Sequence, residues 1–308
     1  MNGFSDENAE SARFYEENYE LIASYPLAAE SPVHIGDKSE PRMCRFCRKQ
    51  RGDTTFKNRA HAIPEFLGNR SLFLINECDR CNKLFADEYE DHLAKLLGPA
   101  RPILGMRGKS GAPKYNSSTA RIESTPSSGL HITVKDVSVR PGDPPQGPCD
   151  FTLPVDTPTQ PYVPLRAAKA LVKAGCSILP SEFLPHCAGA IAWLMDFSST
   201  VVSAFPVLFS FTPGRSPYGR GSAFVIHRKS KSPAPAFWFV VAASNMRFQV
   251  MLPLCQGDDW MGPTGGTFPV RHFCTPFDAT HESKYGKTKF RTLDWSSNQS
   301  VITRPQFT

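Results

Sequence analysis

Cys44-Arg45-Phe46-Cys47 and Cys78-Asp79-Arg80-Cys81 are two matched Cys-x2-Cys pairs, and Arg59-Ala60-His61-Ala62-Ile63-Pro64-Glu65 lies between them. Two intervening residues let one tight turn present two thiolates to one ion, so two such pairs are typical of a tetrahedral zinc site with Zn–S distances of about 2.3 Å. The candidate ligands of this structural zinc are Cys44, Cys47, Cys78 and Cys81. Because four thiolates complete a zinc shell, His61 and the Asn82 that follows the second pair are left for other chemistry, which indicates catalysis beside a structural metal.

The composition is that of a soluble globular protein. The chain has 308 residues, of which 40% are hydrophobic and 21% are charged, and this length accommodates one large domain or two modest ones. No apolar run approaches the roughly 18 residues that a membrane span needs, and the acidic start lacks the features of a signal peptide. We therefore expect a cytoplasmic protein without a membrane partner, whose nine cysteines are zinc thiolates and free thiols and not disulfides.

The net charge of +6 is unevenly distributed. Residues 1–34 hold one Arg and seven acidic residues, whereas residues 35–115 hold sixteen Lys or Arg and ten acidic residues. Residues 116–308 hold eighteen basic and twelve acidic residues. An acidic leader therefore precedes a basic body, whose sign favours a polyanionic partner such as nucleic acid.

Three regions are predicted: an acidic N-terminal segment of residues 1–34, a cysteine module of residues 35–115 and a C-terminal α+β domain of residues 116–308. The last region contains no metal-ligand cluster or nucleophile motif, so we expect it to regulate, target or oligomerise the module. The predicted helices are residues 9–24, 165–179 and 184–197, and the predicted strands are residues 130–134, 201–211, 222–227, 236–243 and 246–254, with a hairpin turn at Ser244-Asn245.

The segment between the cysteine pairs has the pattern of a small ββα unit. Residues 56–64 and 72–75 are each predicted to form one strand of a hairpin, and Asn82 is predicted to open the following helix. Such a unit has a core of only a few side chains, so an ion has to hold it together. It brings His61 toward Asn82 at the helix N-terminus, where unpaired backbone amides favour a phosphate group.

The segments C-R-F-C, A-H-A-I-P-E-F-L-G-N and N-E-C-D-R-C-N, in this order, resemble an HNH endonuclease of the ββα-metal superfamily. The similarity is to the branch in which a zinc on four cysteines clasps the hairpin and the helix, and it covers residue 43 to about residue 115. It implies an α+β protein with an N-terminal zinc-bound ββα-metal module followed by a mixed α+β domain. It also implies metal-dependent hydrolysis of phosphodiester bonds, with DNA as the favoured substrate and prokaryotic defence as the context.

The resemblance assigns roles residue by residue. His61 matches the general base that takes a proton from the attacking water, and Asn76 matches the middle Asn that orients the His ring. Asn82 matches the last residue of the motif, whose side-chain oxygen helps to hold a catalytic Mg²⁺ or Mn²⁺. Many relatives carry a second metal ligand just before the base, but here that position is Ala60.

Replacement ligands are sought on the following helix, where Glu90, Asp87 and His92 are candidates. Glu90 lies eight residues past Asn82, which is about 12 Å along a continuous helix. Sharing one ion between these two residues therefore requires a bend or a late helix start. Basic residues among glycines follow the module and can approach phosphates, and the candidate nucleic-acid contacts are Arg101, Arg107, Lys109 and Lys114.

Two other functions fit the same residues. A catalytically silent zinc module would bind nucleic acid or protein, with Ala60 as the trace of a lost metal site and Asn82 as a helix cap. Alternatively, the nuclease would act on RNA. The sequence also leaves open a homo-oligomer and a regulatory ligand or protein that restrains the enzyme.

Overall fold

The computed structural model describes residues 6–38, 40–108, 111, 113–125, 129–135, 157–198, 206–214, 217–229, 234–258, 270–274 and 286–304. Its helices are α1 (Asp6–Asn18), α2 (Asp79–Phe85), α3 (Asp91–Leu97), α4 (Ala100–Ile103), α5 (Pro164–Ile178) and α6 (Ala188–Met195). A π-helical segment, Ala86–Glu90, joins α2 to α3, and 3-10 turns lie at Glu65–Leu67, Ser181–Phe183 and Pro185–Cys187. Its strands are β1 (Tyr19–Pro26), β2 (Val33–Ile35), β3 (Leu72–Leu74), β4 (Tyr115–Asn116), β5 (Ala120–Thr125), β6 (Gly129–Val134), β7 (Val207–Phe211), β8 (Ser222–Arg228), β9 (Phe237–Ala243), β10 (Met246–Met251) and β11 (Lys289–Leu293).

Six strands form an antiparallel sheet in the order β1-β8-β9-β10-β7-β11, here called the large sheet. β9 and β10 lie at its centre, and every residue of both strands is buried. The predicted turn at Ser244-Asn245 joins them, and the φ of 55° at Ser244 is the left-handed backbone that a two-residue hairpin needs. The predicted strands of this region are confirmed except at residues 252–254, because β10 ends at Met251, and residues 201–205 lie outside the described residues.

The acidic N-terminal segment joins the large sheet. α1 ends at Asn18, and the chain continues as β1, an edge strand that pairs with β8. The predicted helix over residues 9–24 is therefore wrong beyond Asn18. Its second half is extended because Tyr19 and Ala23 turn one face of β1 to the core, where the Tyr19 hydroxyl donates to the carbonyl of Pro235 at 2.9 Å. The division of the chain at residues 34 and 115 stays a prediction.

α5 lies between the large sheet and α3. Pro164 occupies its first turn, where a missing N–H costs nothing, and every residue of the helix except Arg166 is buried. Gly175 sets the distance to the sheet, because a Cβ there would lie 2.7 Å from Leu252 and 2.9 Å from Phe239. The predicted helix over residues 165–179 is confirmed, and its small side chains explain why it packs so closely.

Two smaller sheets complete the described fold. β2 and β3 pair in parallel, and β4, β5 and β6 form an antiparallel sheet whose last strand contains the predicted strand at residues 130–134. The predicted α+β class, with a cysteine module near the N-terminus, is confirmed. Of the described helices, none is both long and apolar enough to cross a membrane.

Candidate catalytic and metal site

The residues between the cysteine pairs form a ββα unit. Backbone hydrogen bonds of 3.1 and 2.9 Å on either side of His61 join this segment to β3. They place His61 opposite Phe73, with the two ring centroids 4.7 Å apart. The predicted strand over residues 56–64 is wrong, because His61 forms an isolated antiparallel bridge with Phe73 and the other residues of this range belong to no strand.

The helix of the unit, α2, begins earlier than predicted. Its first residue is Asp79, and the Asp79 carboxylate accepts the backbone amides of Lys57 and Asn58 at 3.0 and 2.8 Å. The amide of Asn82 already donates to the carbonyl of Cys78 at 2.9 Å. Asn82 therefore neither opens nor caps the helix, and its half-buried side chain lies one turn inside α2.

The four predicted cysteines converge on one point. Their sulfur atoms all lie within 4.8 Å of one another, and the sulfurs of Cys47 and Cys78 are 3.7 Å apart. Four thiolates around a zinc ion are about 3.8 Å from each other when each Zn–S distance is about 2.3 Å, so the cluster fits a tetrahedral ion. The hydrogen bond with Cys81 lowers the pKa of Cys44 to about 5 and raises the pKa of Cys81. A divalent cation is what allows all four thiols to ionise together.

A buried arginine ties the first cysteine pair to α5. Arg45 lies within that pair, and its Nη1 group donates to the carbonyls of Cys176, Ser177 and Leu179 at 2.9, 3.0 and 2.8 Å. These carbonyls lie at the C-terminal end of α5, where the helix dipole favours a cation. The cysteine cluster is therefore anchored to a helix that lies far away in the sequence.

His61 is half-buried, and this burial lowers its pKa from the ordinary value. The negative charge of Glu65 raises the pKa, while the positive charges of Lys173, Arg59 and Arg70 lower it. The imidazole is therefore neutral at physiological pH, which is the protonation state that a general base requires.

The asparagine beside His61 is Asn69. Its Nδ2 lies 3.5 Å from Nδ1 of His61 and donates to the carbonyls of Ile63 and Leu72 at 2.7 and 3.0 Å. Its Oδ1 accepts two backbone amides of the same loop. The side chain of Asn69 is fully buried and closes the hairpin loop around the histidine.

Asn76, the residue predicted to orient the histidine, lies elsewhere. Its Nδ2 donates to the carbonyl of Met43 at 3.3 Å, and its Oδ1 fills the space that a Cβ at Gly36 would need. The contact with His61 therefore belongs to Asn69, which the sequence reasoning missed. The sequence contained a signal for Asn69, because it is the last residue of the A-H-A-I-P-E-F-L-G-N stretch that also contains His61.

The candidates for a second catalytic-metal ligand have other partners. Glu90 Oε1 lies 3.5 Å from Nζ of Lys173, so Glu90 is placed as an ion-pair partner. Oδ2 of Asp87 lies 2.6 Å from Nζ of Lys83. Nδ1 of His92 accepts a hydrogen bond from the backbone amide of Val163 at 3.0 Å. Among the residues that the structure describes, the cysteine cluster is the one group of three or more His, Cys, Asp or Glu side chains that could hold an ion.

A comparison with family models relates this unit to a known family. Residues 44–97 match the model described as HNH endonuclease. This segment is similar to HNH endonucleases and is called the HNH module below. The match begins at the first cysteine of the cluster, includes His61, Asn69 and Asn82, and ends with α3. Searches of curated proteins and of solved structures returned no match.

The HNH module, residues 44–97, receives cations from α5, which lies outside the match. Nζ of Lys173 lies 3.0 Å from a carboxylate oxygen of Glu77, and only 1% and 0% of the two side chains are exposed. Burial raises the pKa of Glu77 to about 7, and Lys173 opposes this shift. On the same helix, Arg166 pairs with Glu88 of the π-helical segment at 2.5 Å. Opposite charges therefore face each other across this interface.

The HNH module also borders a groove lined by arginines. Arg70, Arg107 and Arg220 surround a space of about 350 Å³, here called the arginine groove. Arg70 belongs to the hairpin loop and donates to the carbonyl of Arg107 at 2.9 Å, whereas Arg220 precedes β8 of the large sheet. Three lining glycines have nothing close to the position of a Cβ, namely Gly68, Gly105 and Gly219. The described lining residues include no acidic side chain, but Arg70 also pairs with Glu65, which is not a lining residue.

The predicted nucleic-acid contacts fall in different places. Arg107 is exposed in the arginine groove, whereas Arg101 is half-buried with its guanidinium 5.1 Å from the ring centroid of Phe66. Lys114 pairs with Glu123 at 3.3 Å, and Lys109 lies outside the described residues. Arg70 and Arg220 are additions that the sequence reasoning missed, because neither lies in the basic segment after the module.

Proposed function

We propose that this chain is a metal-dependent HNH endonuclease that hydrolyses phosphodiester bonds in DNA. The observation that carries the proposal is the environment of His61, a neutral imidazole on the hairpin of a ββα unit and in contact with Asn69. The family match supports nuclease chemistry in general. Zinc on the four clustered cysteines is the proposed structural cofactor.

In this proposal His61 removes a proton from the attacking water. Burial and neighbouring cations keep its pKa low, so a ring nitrogen has a free lone pair at physiological pH. Nδ2 of Asn69 has two protons and donates both to backbone carbonyls, so its contact with Nδ1 of His61 positions the ring without fixing the tautomer.

The proposed catalytic ion is Mg²⁺ or Mn²⁺. Such an ion neutralises charge on the scissile phosphate and on the leaving oxygen. Asn82 offers an amide oxygen for it, and Mg²⁺ commonly completes its shell with substrate phosphates and water. The described residues contain no assembled carboxylate site, so the substrate itself is the proposed source of the remaining ligands.

The arginine groove supports nucleic acid as the substrate. Guanidinium groups bind phosphate oxygens in pairs, and the groove offers three of them beside the hairpin that carries His61. Its open glycines allow a phosphate backbone to approach the main chain closely. The preference for DNA over RNA comes from analogy with the family.

Plasmid cleavage with Mg²⁺ or Mn²⁺, and with EDTA, tests the proposal. His61→Ala should lose about 10²–10⁴-fold in rate, because general base catalysis contributes that much, while zinc content and folding stay unchanged. His34→Ala is the matched control, since His34 also lies beside Phe73, with ring centroids 6.0 Å apart, but is exposed on β2. A His61→Ala protein that cuts at the wild-type rate would refute the assignment.

A catalytically silent zinc module that binds nucleic acid or protein is the second candidate. It is favoured by the lack, among the described residues, of a second group of ligating side chains. Tight DNA or RNA binding by the wild-type chain without cleavage of either, in Mg²⁺ and in Mn²⁺, would establish it. Cleavage of structured RNA but not of plasmid would instead assign an RNA-directed nuclease.

Analogy with the family also leads us to propose a role in prokaryotic defence. Phage plating on bacteria that express the wild-type chain or His61→Ala tests this role. Protection by the wild type alone is the expected result, and equal plating on both strains would contradict it.

A further inference from the structure

Lys173 connects three parts of the HNH module from outside it. Its Nζ lies 3.2 Å from the carbonyl oxygen of His61, 3.0 Å from Glu77 and 3.5 Å from Glu90. These acceptors belong to the first strand of the hairpin, to the residue before the second cysteine pair and to the end of the π-helical segment. Its ammonium group donates to the His61 carbonyl and to Glu90, whereas the contact with Glu77 is an ion pair.

The HNH module depends on this cation. The described ion pairs give Glu77 and Glu90 no partner within residues 44–97, and both carboxylates face Lys173 instead. The side chain of Glu77 is 0% exposed, and a buried carboxylate without a cation is strongly destabilising. Glu77 and Glu90 therefore have this ion-pair partner only when α5 is packed against the module.

We propose that Lys173 is a positioning residue for His61, which makes α5 a part of the nuclease site. This inference rests on the proposed function. The Lys173 ammonium donates to the main-chain carbonyl of His61, while Asn69 contacts the ring of the same residue at Nδ1. The two contacts restrain His61 at its backbone and at its ring, so the imidazole keeps one orientation toward the water.

A purely structural lysine on this helix would have no contact with His61. Lys169, about one turn earlier on α5, is such a lysine. It is buried, and its Nζ donates to the carbonyls of Trp193 and Asp196 at 2.9 and 2.8 Å, where α6 ends. Lys173 differs because its described contacts include the proposed base.

The experiment removes the tether without leaving the fully buried Glu77 charge unpaired, while Glu90, whose side chain is 21% exposed, stays in contact with water. Lys173→Met alone would leave the carboxylate of Glu77 without its cation, so the variant combines Lys173→Met with Glu77→Gln. A second variant, Lys173→Gln with Glu77→Gln, restores an N–H donor but no charge. The matched control is Arg166→Met with Glu88→Gln, which removes a 2.5 Å ion pair between α5 and the same module.

We expect the Met variant to keep zinc and KM while kcat falls about 10- to 100-fold, because small misplacements of a catalytic group have effects of that size. The Gln variant should recover part of kcat. Since the positive charge of Lys173 lowers the pKa of His61, the acid limb of kcat should move to higher pH in both variants. The control should keep the wild-type kcat and the wild-type acid limb.

Wild-type kcat and an unshifted acid limb in the Met variant would overturn the inference, even if its melting temperature falls. An equal loss of kcat in the control would also overturn it, because the interface and not the contact with His61 would then matter. If the Met variant loses zinc, the acid limb of kcat in the Gln variant is the test. A limb at higher pH than in the wild type supports the inference, and an unshifted limb contradicts it. A wild-type chain that never cuts refutes the proposed function instead. In that case a ¹³C-histidine NMR titration compares the pKa of His61 in the wild type and in the variants directly. Equal pKa values of His61 would contradict the proposed role of Lys173.

Discussion

Nδ2 of Asn69 lies 3.5 Å from Nδ1 of His61, and the same amide group closes the loop between them through the carbonyls of Ile63 and Leu72. Because Asn69 is fully buried, these bonds have no competition from water. The hairpin loop and the proposed base therefore form one unit, and a change that loosens the loop displaces the ring.

Asn69→Ala should reduce the cleavage rate and the free energy of unfolding together, whereas Asn76→Ala should leave the rate near wild type. The Asn69 variant leaves buried backbone groups without partners, each of which costs about 1–3 kcal/mol. Urea unfolding and plasmid nicking measure the two effects. A larger loss of rate in Asn76→Ala would restore the assignment made from the sequence.

Zinc should be present at about one equivalent per chain, because four thiolates form one tetrahedral site. Cys78→Ser should lose zinc and melt at a lower temperature, since a unit this small has little core to replace the ion. Cys274→Ser is the control, because Cys274 lies outside the cluster. Elemental analysis that finds no zinc in well-folded protein would contradict the assignment.

Cleavage should rise with pH through an acid limb whose midpoint lies below 6.5, since burial lowers the pKa of His61 from that ordinary value. The base works when neutral, so the rate falls as pH drops through the lowered pKa and is flat above it. Arg59→Gln should move the limb to higher pH and Glu65→Gln to lower pH. Profiles of kcat/KM against pH measure both, and shifts of the same sign would contradict His61 as the titrating group.

The arginine groove should contribute affinity more than chemistry. Replacing Arg70, Arg107 and Arg220 with Ala should weaken DNA binding at every sequence, and each lost phosphate contact should reduce the slope of log K against log salt by about 0.9. Lys83→Ala is the control, because Lys83 is exposed on α2 and does not line the arginine groove. An unchanged slope in the triple variant would show that these arginines only face solvent.

Arg45→Met should destabilise the protein by more than about 2 kcal/mol, because several buried carbonyls at the end of α5 would lose a charged donor. Arg51→Met should change the free energy of unfolding by less than about 1 kcal/mol, since its ion pair with Glu40 is exposed. Urea denaturation compares the two variants. Equal effects would mean that Arg45 does not hold the first cysteine pair on α5.

Prediction from the sequence succeeded where the signal was local. The cluster of four cysteines, the helix over residues 165–179 and the turn at Ser244-Asn245 all follow from spacings within a few residues. The prediction failed for residues 19–24, because helical spacing and the alternation of a strand overlap in so short a stretch.

The sequence by itself determined the cysteine cluster and the residue types of the proposed site, because a Cys-x2-Cys turn and a tight hairpin are properties of neighbouring residues. Only the tertiary structure decided that Asn69 and not Asn76 contacts His61, that Glu90 faces Lys173, and that α5 packs against the HNH module. Lys173 and His61 are 112 residues apart in the chain. Their contact arises from the packing of α5 between the module and the large sheet, and no local spacing encodes that packing.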